Sequence, residues 1–280
     1  MRRAAIALGR RTGLVVLVGV IVLWSLAPFA WQVITSLEPD RYLAEFTPHW
    51  LPFPGATLQH YRNVFGAKDF TQYVCNSAIV DAFATVVAVV LATAAAYAVS
   101  LLWLRGRGWI VALVLAVSML PQVAIVTPAY QELLRLHLLN SYLGLGIVYA
   151  GLSLPLTFVV LSSHLRGITR EIHEAARLDG AGPIRTLWSV IVPLALPGIV
   201  PAALLGFIAS WNELLLALSL NSDPDRQTVP VAIANFTGIY AIPWGDIAAA
   251  SVVTTVPLVV LVLIGQRRIV AGLTAAATTD

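Results

Sequence analysis

The sequence predicts an all-α integral membrane protein, a single domain of six transmembrane helices with both termini in the cytoplasm. Hydrophobic residues make up 59% of the 280 and charged residues only 11%, against a charged fraction of roughly 25% in soluble domains. The apolar residues gather into runs that reach the roughly 20 needed to cross a bilayer as helix, separated by short polar segments. The arginines between those runs set the orientation. No length is left for a separate soluble domain.

The first span is read at about residues 13–37, preceded by Arg2, Arg3, Arg10 and Arg11. Its apolar part is too long for a cleaved signal peptide. Residues 38–71 form the longest polar segment, with Pro48, Pro52 and Pro54 and the aromatics Trp50, Tyr61 and Phe65, and belong outside along the interface. A second span at about 72–102 is long enough to tilt. The basic turn around Arg105 and Arg107 leads into span three at about 109–130, where Pro121 and Pro128 predict kinks. An amphipathic connector at 131–142 carries Glu132, Arg135 and His137. Span four, about 143–165, holds Gly144, Gly146, Gly151 and Pro155, which allow close helix contact and bending.

After a cytoplasmic loop at 166–189, Pro183 starts the helix that becomes span five, about 190–220. Pro193, Pro197 and Pro201 recur there at every fourth residue, so one face loses successive backbone donors and the helix must bend. Span six follows an outer loop and covers about 247–264, and Arg267 and Arg268 open a short tail.

With six spans the termini share a side. That side, with its loops, holds Arg2, Arg3, Arg10, Arg11, Arg105, Arg107, Arg166, Arg170, Arg177, Arg185, Arg267 and Arg268, which is 12 of the 17 basic residues. The excess puts termini and the 166–189 loop in the cytoplasm. The formal charge of +3, with no basic run, gives no nucleic-acid footprint. The one cysteine, Cys75, excludes an internal disulfide and reads as a small buried residue. No Gly-x-x-x-x-Gly-Lys-Ser/Thr loop is present and Lys68 is the sole lysine, so the chain has no phosphate-cradling ATP site.

The most polar island in this apolar chain is Glu171 to Gly182. Thr169 is placed to cap a short helix with Glu171 in its first turn, and Gly180 to end it. Ile172, Ala175 and Ala176 are expected on one face, with Glu174 and Arg177 beside them. Such a face is too small to build a core but fits a groove on another protein. His173 has no nucleophile or metal partner nearby and reads as a surface histidine, as do His49, His60, His137 and His164.

Glu174-Ala175-Ala176, three further residues, Gly180, and then Val190-Ile191-Val192-Pro193 resembles the signature loop of permease subunits of ABC importers. Valines stand near its end where isoleucine and leucine are more usual. Asn76-Ser77, Ala95-Ala96-Tyr97-Ala98, Trp211-Asn212-Glu213-Leu214, Pro230-Val231-Ala232 and the tail from Gln266 to Thr274 are similar to the carbohydrate-uptake branch, in particular the smaller permease of maltose- and trehalose-type pairs. Ala275 to Asp280 depart from that family's ending, which puts a tail contact with the ATPase in doubt.

The resemblance implies the type I importer permease fold and a transmembrane subunit of an ATP-driven sugar importer in a bacterial-type inner membrane. It implies as partners a cytoplasmic ABC ATPase dimer, which holds the ATP and magnesium, a second homologous permease, an extracytoplasmic binding protein, the sugar and membrane lipid. It further implies a coupling helix that docks in the ATPase, carried here by Glu171, Glu174, Ala175, Ala176, Asp179, Gly180 and Ala181. The chain itself is then no enzyme and has no cofactor, catalytic residue or metal site.

Two carboxylates fall inside spans. Asp81 lies about nine residues into span two, roughly 13 Å, and Glu213 is about 30 Å along span five from Pro193, both toward the outer side. They hydrogen-bond a sugar hydroxyl or form a gate contact, or else they are helix-end carboxylates in interface water or paired with outer-loop backbone. Phe207, Trp211, Asn212, Asn235, Tyr240 and Trp244 offer the mixture of aromatic faces and amide groups that neutral sugars need, while tryptophan and tyrosine at span ends also serve as interface anchors. Three rival readings are a permease for a phosphorylated polyol such as glycerol 3-phosphate, an ion-coupled secondary carrier and an intramembrane enzyme. Acidic intramembrane charges weigh against the first and the lack of a basic partner against the second, and the third finds no catalytic pair.

Overall fold

The computed structural model describes residues 2–43, 55–66, 70–102, 104–236 and 242–277, with helix and no strand among them. Pro48, Trp50, Pro52, Pro54, Lys68 and Tyr240 lie outside the described residues. Two compact units divide the chain, one of Met1–Phe70 with Ile233–Val256 and one of Thr71–Ala232 with Pro257–Asp280.

In the first unit, helix α1 (Arg2–Leu37) runs well N-terminal of the apolar stretch and passes through Pro28. Its residues from Arg11 to Trp31 are exposed almost without exception, which is what a span facing lipid or another subunit requires. Two short helices follow, α2 (Asp40–Leu43) and α3 (Gln59–Gly66). They close over the end of α1 through polar contacts. Ser36 and the Tyr61 hydroxyl lie 2.8 Å apart. His60 is no surface histidine: it is 1% exposed, with Nδ1 2.9 Å from Asp246 Oδ1 and Nε2 2.9 Å from the Glu38 carbonyl. A buried imidazole needs such partners, and both come from residues distant in sequence.

The second unit is built on α4 (Phe70–Leu101), α7 (Tyr142–Arg166) and α10 (Val192–Trp211). Helix α4 buries Val80, Ala84, Ala88, Ala92 and Ala96 completely. Their four-residue spacing makes one narrow stripe of mostly small side chains, which lets neighbouring backbones approach. One end of the stripe packs with Phe158, Leu161, Leu165, Ile191 and Ala195, the other with Leu145, Tyr149, Leu216, Leu220 and Val231. Helices α7 and α10 meet along small residues: a Cβ on Gly198 would run into the half-buried His164 ring. Cys75 is exposed rather than buried, because it sits off the α4 stripe.

Span three is broken. Helix α5 (Arg107–Ser118) and helix α6 (Gln122–Arg135) meet at 95°. Pro121 has φ −66° and ψ 134° and begins α6 from outside it, and a proline disfavours helical geometry in the residue before it. Pro128, by contrast, sits inside α6 without ending it. Five other helical segments are long and apolar enough to cross a membrane, and the bent pair makes up to six.

The segment leading to α10 starts with α8 (Arg170–Leu178) and α9 (Pro183–Thr186), then a π turn at Leu187–Ile191. The Val192 amide reaches back five residues to Leu187. Pro193 follows at once, and the widened turn accommodates a residue that has no N–H and whose ring crowds the preceding carbonyls. Where the sequence suggests one span to Leu220, α10 ends at Trp211 and a separate short helix, α11 (Leu215–Leu220), follows. Helix α12 (Val229–Ala234) precedes α13 (Trp244–Ala277), whose backbone stays helical past Arg267 and Arg268 into the predicted tail as far as Ala277.

Candidate functional site

Helix α8 is closed by its own sequence. Thr169 occupies the N-cap position with extended backbone, but its side chain makes no capping bond, contrary to expectation. The other end is tightly fixed. Gly180 has φ +81°, its amide donates to the Arg177 carbonyl at 3.0 Å, and the Ala181 amide donates to the Ala176 carbonyl at 3.0 Å. These paired bonds around a left-handed glycine are the Schellman closure. No atom lies within 4 Å of where a Gly180 side chain would begin, so the glycine is needed for its backbone and not for space.

The face expected to meet a partner is exposed at two of its three positions, and a histidine read as a surface residue is turned inward. His173 and Ala176 are buried, while Ile172 and Ala175 are exposed. His173 is therefore an anchor: its Nδ1 lies 3.1 Å from the Tyr97 hydroxyl, with the rings edge to face at 5.6 Å. Tyr97 belongs to the Ala95-Ala96-Tyr97-Ala98 stretch of α4, so two separated sequence motifs meet in this contact. What α8 turns outward is Glu171, Glu174, Ala175, Asp179 and Gly180, with Ala181 half-buried and Leu178 89% exposed. Among the described residues nothing covers that leucine at the tip.

The Trp211-Asn212-Glu213-Leu214 stretch makes the break between α10 and α11. Glu213 is buried, and its carboxylate accepts from the Leu216 amide at 3.0 Å, from the Ala217 amide at 3.2 Å and from the Tyr149 hydroxyl at 3.0 Å. The negative group thus caps the start of α11, where backbone donors lack intrahelical partners. Tyr149 went unnoticed in the sequence. The signal for it was the carboxylate itself, which inside a membrane protein requires a donor from a neighbouring span.

Asp81 is also fully buried. Among the described residues its Oδ1 has no hydrogen-bond partner. Trp211 is buried with its indole N–H unpartnered, and Phe207 stacks on it at 5.4 Å. Asn212 is exposed and donates to the Ile208 carbonyl at 2.7 Å. Asn235 and Trp244, in the other unit, are exposed. Asp81, Trp211 and Glu213 are thus gathered in one unit, but all three lie beneath its surface.

Asn76 and Ser77 pin the loop that precedes α12. Asn76 Nδ2 donates to the carbonyls of Asp225 at 3.0 Å and Gln227 at 2.8 Å, its Oδ1 accepts from the Tyr142 hydroxyl at 2.7 Å, and Ser77 Oγ accepts from the Val229 amide at 2.9 Å. These bonds tie α4, α7 and the 221–229 segment into one polar knot. Among the described residues no group of three His, Cys, Asp or Glu side chains converges as metal ligands would.

Known proteins resemble this chain in sequence and in fold. The family model described as "Binding-protein-dependent transport system inner membrane component" matches residues 4–274. The chain is 41% identical to the trehalose transport system permease protein SugB of Mycobacterium tuberculosis, across 96% of this chain and 97% of that protein. It is 38% identical to the trehalose/maltose transport system permease protein MalG of Thermococcus litoralis, across 90% and 91%. A solved structure of a bacterial ABC transporter involved in import of the acidic polysaccharide alginate superimposes with a TM-score of 0.76 at 22% identity, covering 92% of this chain and 96% of that one. That last likeness is one of fold. On the family match and on these full-length identities, the chain belongs to the binding-protein-dependent transport system inner membrane components, the permease subunits of ABC importers.

Proposed function

We propose that this chain forms half of the translocation pathway of an ATP-driven importer for a disaccharide or short oligosaccharide of the trehalose or maltose type. A second, homologous permease supplies the other half, an extracytoplasmic binding protein delivers the sugar, and a cytoplasmic ATPase dimer with its bound ATP and magnesium drives the cycle. The termini and α8 face the cytoplasm, in keeping with the arginine excess on that side.

The observation that carries the reading is the outward surface of α8. A nine-residue helix fixed at its base by His173 and Tyr97 and closed by Gly180 presents Glu171, Glu174, Ala175 and Asp179 away from its own chain. Seated in a cleft that opens and closes, it transmits that motion to α7 and α10, to which it is joined by short connections. Sugar as the cargo is supported by the relatives' substrates. Within this reading Phe207 and Asn212 face the pathway, while Asp81, Trp211 and Glu213 shape the backbone behind.

The test is reconstitution in proteoliposomes with the partner permease, ATPase and binding protein, scoring ATP-dependent uptake across a panel of sugars. Uptake of an α-linked disaccharide that stops when the ATPase is omitted is expected. Transport of glycerol 3-phosphate but no sugar would overturn the substrate class. Uptake on a proton gradient without the ATPase would overturn the machine.

A further inference from the structure

At the junction of α5, α7 and α8 lies a cavity of about 520 Å³. Arg107 opens α5, Arg166 ends α7 and Arg170 opens α8, and all three line it. Gly108, Val111 and Ile168 supply part of the remaining wall, and among the described residues no carboxylate contributes to it. Arg107 and Arg166 make no ion pair within the described residues. All three arginines are exposed at the rim of one space, and an oxyanion seated there offsets their like charge.

The backbone adds to the same field. Helices α5 and α8 both begin at this cavity, and neither has a side-chain cap on its first turn. Their positive ends and amide donors therefore add to the positive field that the arginines set up around the cavity. Gly108 has open space where a side chain would be, so the backbone there is accessible to a ligand. Guanidinium forks match tetrahedral oxyanions with paired hydrogen bonds, and arginine is the residue suited to that recognition. Val111 and Ile168 offer apolar contact to the carbon part of such a ligand.

We propose that this cavity binds a phosphate-bearing anion, either the headgroup of an acidic phospholipid or a soluble phosphate monoester. The ligand bridges α5 to the α7–α8 corner and so fastens the root of α8. This goes beyond the transport reading and needs neither the ATPase nor the sugar.

The experiment uses the full chain, purified with the subunits that accompany it, in lipid nanodiscs. In one arm, native mass spectrometry counts phosphatidylglycerol retained from a phosphatidylcholine mixture. In the other, calorimetry with glucose 6-phosphate is run in pure phosphatidylcholine. Wild type is expected to show retention or saturable binding, and the arm that responds identifies the source. Arg107→Gln and Arg166→Gln, singly and together, should weaken it by about tenfold or more, the factor for one lost charge-assisted hydrogen bond. Arg107→Lys should recover part of it, and Arg185→Gln, on the same polar segment but off the cavity, should change nothing. No binding in either arm, or an equal loss in Arg185→Gln, would overturn the proposal. The single variants keep the test decisive should the double variant fold poorly.

Discussion

The Tyr149 hydroxyl donates to the Glu213 carboxylate at 3.0 Å, and the same carboxylate caps two amides of α11. This one contact explains why a charged residue is tolerated at the break between α10 and α11. A buried carboxylate must find donors, and here a neighbouring span provides one and the adjoining turn the rest. Tyr149→Phe should cost about 1.5–3 kcal/mol, the usual value for a hydrogen bond to a charged group. Glu213→Ala should cost more, because it also uncaps α11, with Glu213→Gln between them. Thermal unfolding of the purified protein in detergent gives the order, and a Glu213→Ala variant as stable as wild type would contradict the capping role.

Asp81 should behave in the opposite way. Its buried Oδ1 has no partner among the described residues, so the group costs stability where it sits. Asp81→Ala is expected to unfold at the same temperature as wild type or higher. A drop as large as that of Tyr149→Phe would show that Asp81 holds the fold together. Uptake kinetics on the same variant separate a pathway role from a bystander, since a residue behind the pathway leaves the KM for sugar unchanged.

Gly180 tests the closure of α8 apart from its docking. At φ +81° a residue with a Cβ is strained by roughly 1–2 kcal/mol, and a β-branched one is penalised most. With open space around it, that strain is the whole effect. Gly180→Val should speed hydrogen exchange at the Ala181 amide, which closes the Schellman pair. Gly180→Asn, which tolerates left-handed backbone, should restore protection, and equal exchange in all three proteins would contradict the assignment.

Much of this was legible because membrane spans announce themselves by hydrophobic length, and that physics fixes where helices lie. The short polar helix at α8 was visible for a related reason: Gly180 and the acidic first turn mark its ends. What escaped was lateral. The burial of His60 and His173 depends on Asp246 and Tyr97, which are remote in sequence. On α8 the spacing of Ile172, Ala175 and Ala176 marks a face offered to a partner, but it does not show that Ala176 turns inward beside His173, which a tyrosine on another helix holds. Likewise Pro121 and Pro128 look alike in sequence, and only the first breaks its span. The separation of α11 from α10 at Glu213 followed a capping bond that hydropathy does not register.

Glu174 bears on the central claim most directly. It is exposed and makes no hydrogen bond or ion pair among the described residues of its own chain, so its replacement should leave this subunit's stability unchanged. In proteoliposomes with all partner subunits, Glu174→Lys should insert and assemble normally yet lose sugar uptake by about tenfold or more, the factor for roughly 1.4 kcal/mol of docking energy. ATP hydrolysis should then no longer respond to sugar-loaded binding protein. Normal uptake with normal stimulation of hydrolysis in Glu174→Lys would contradict the account.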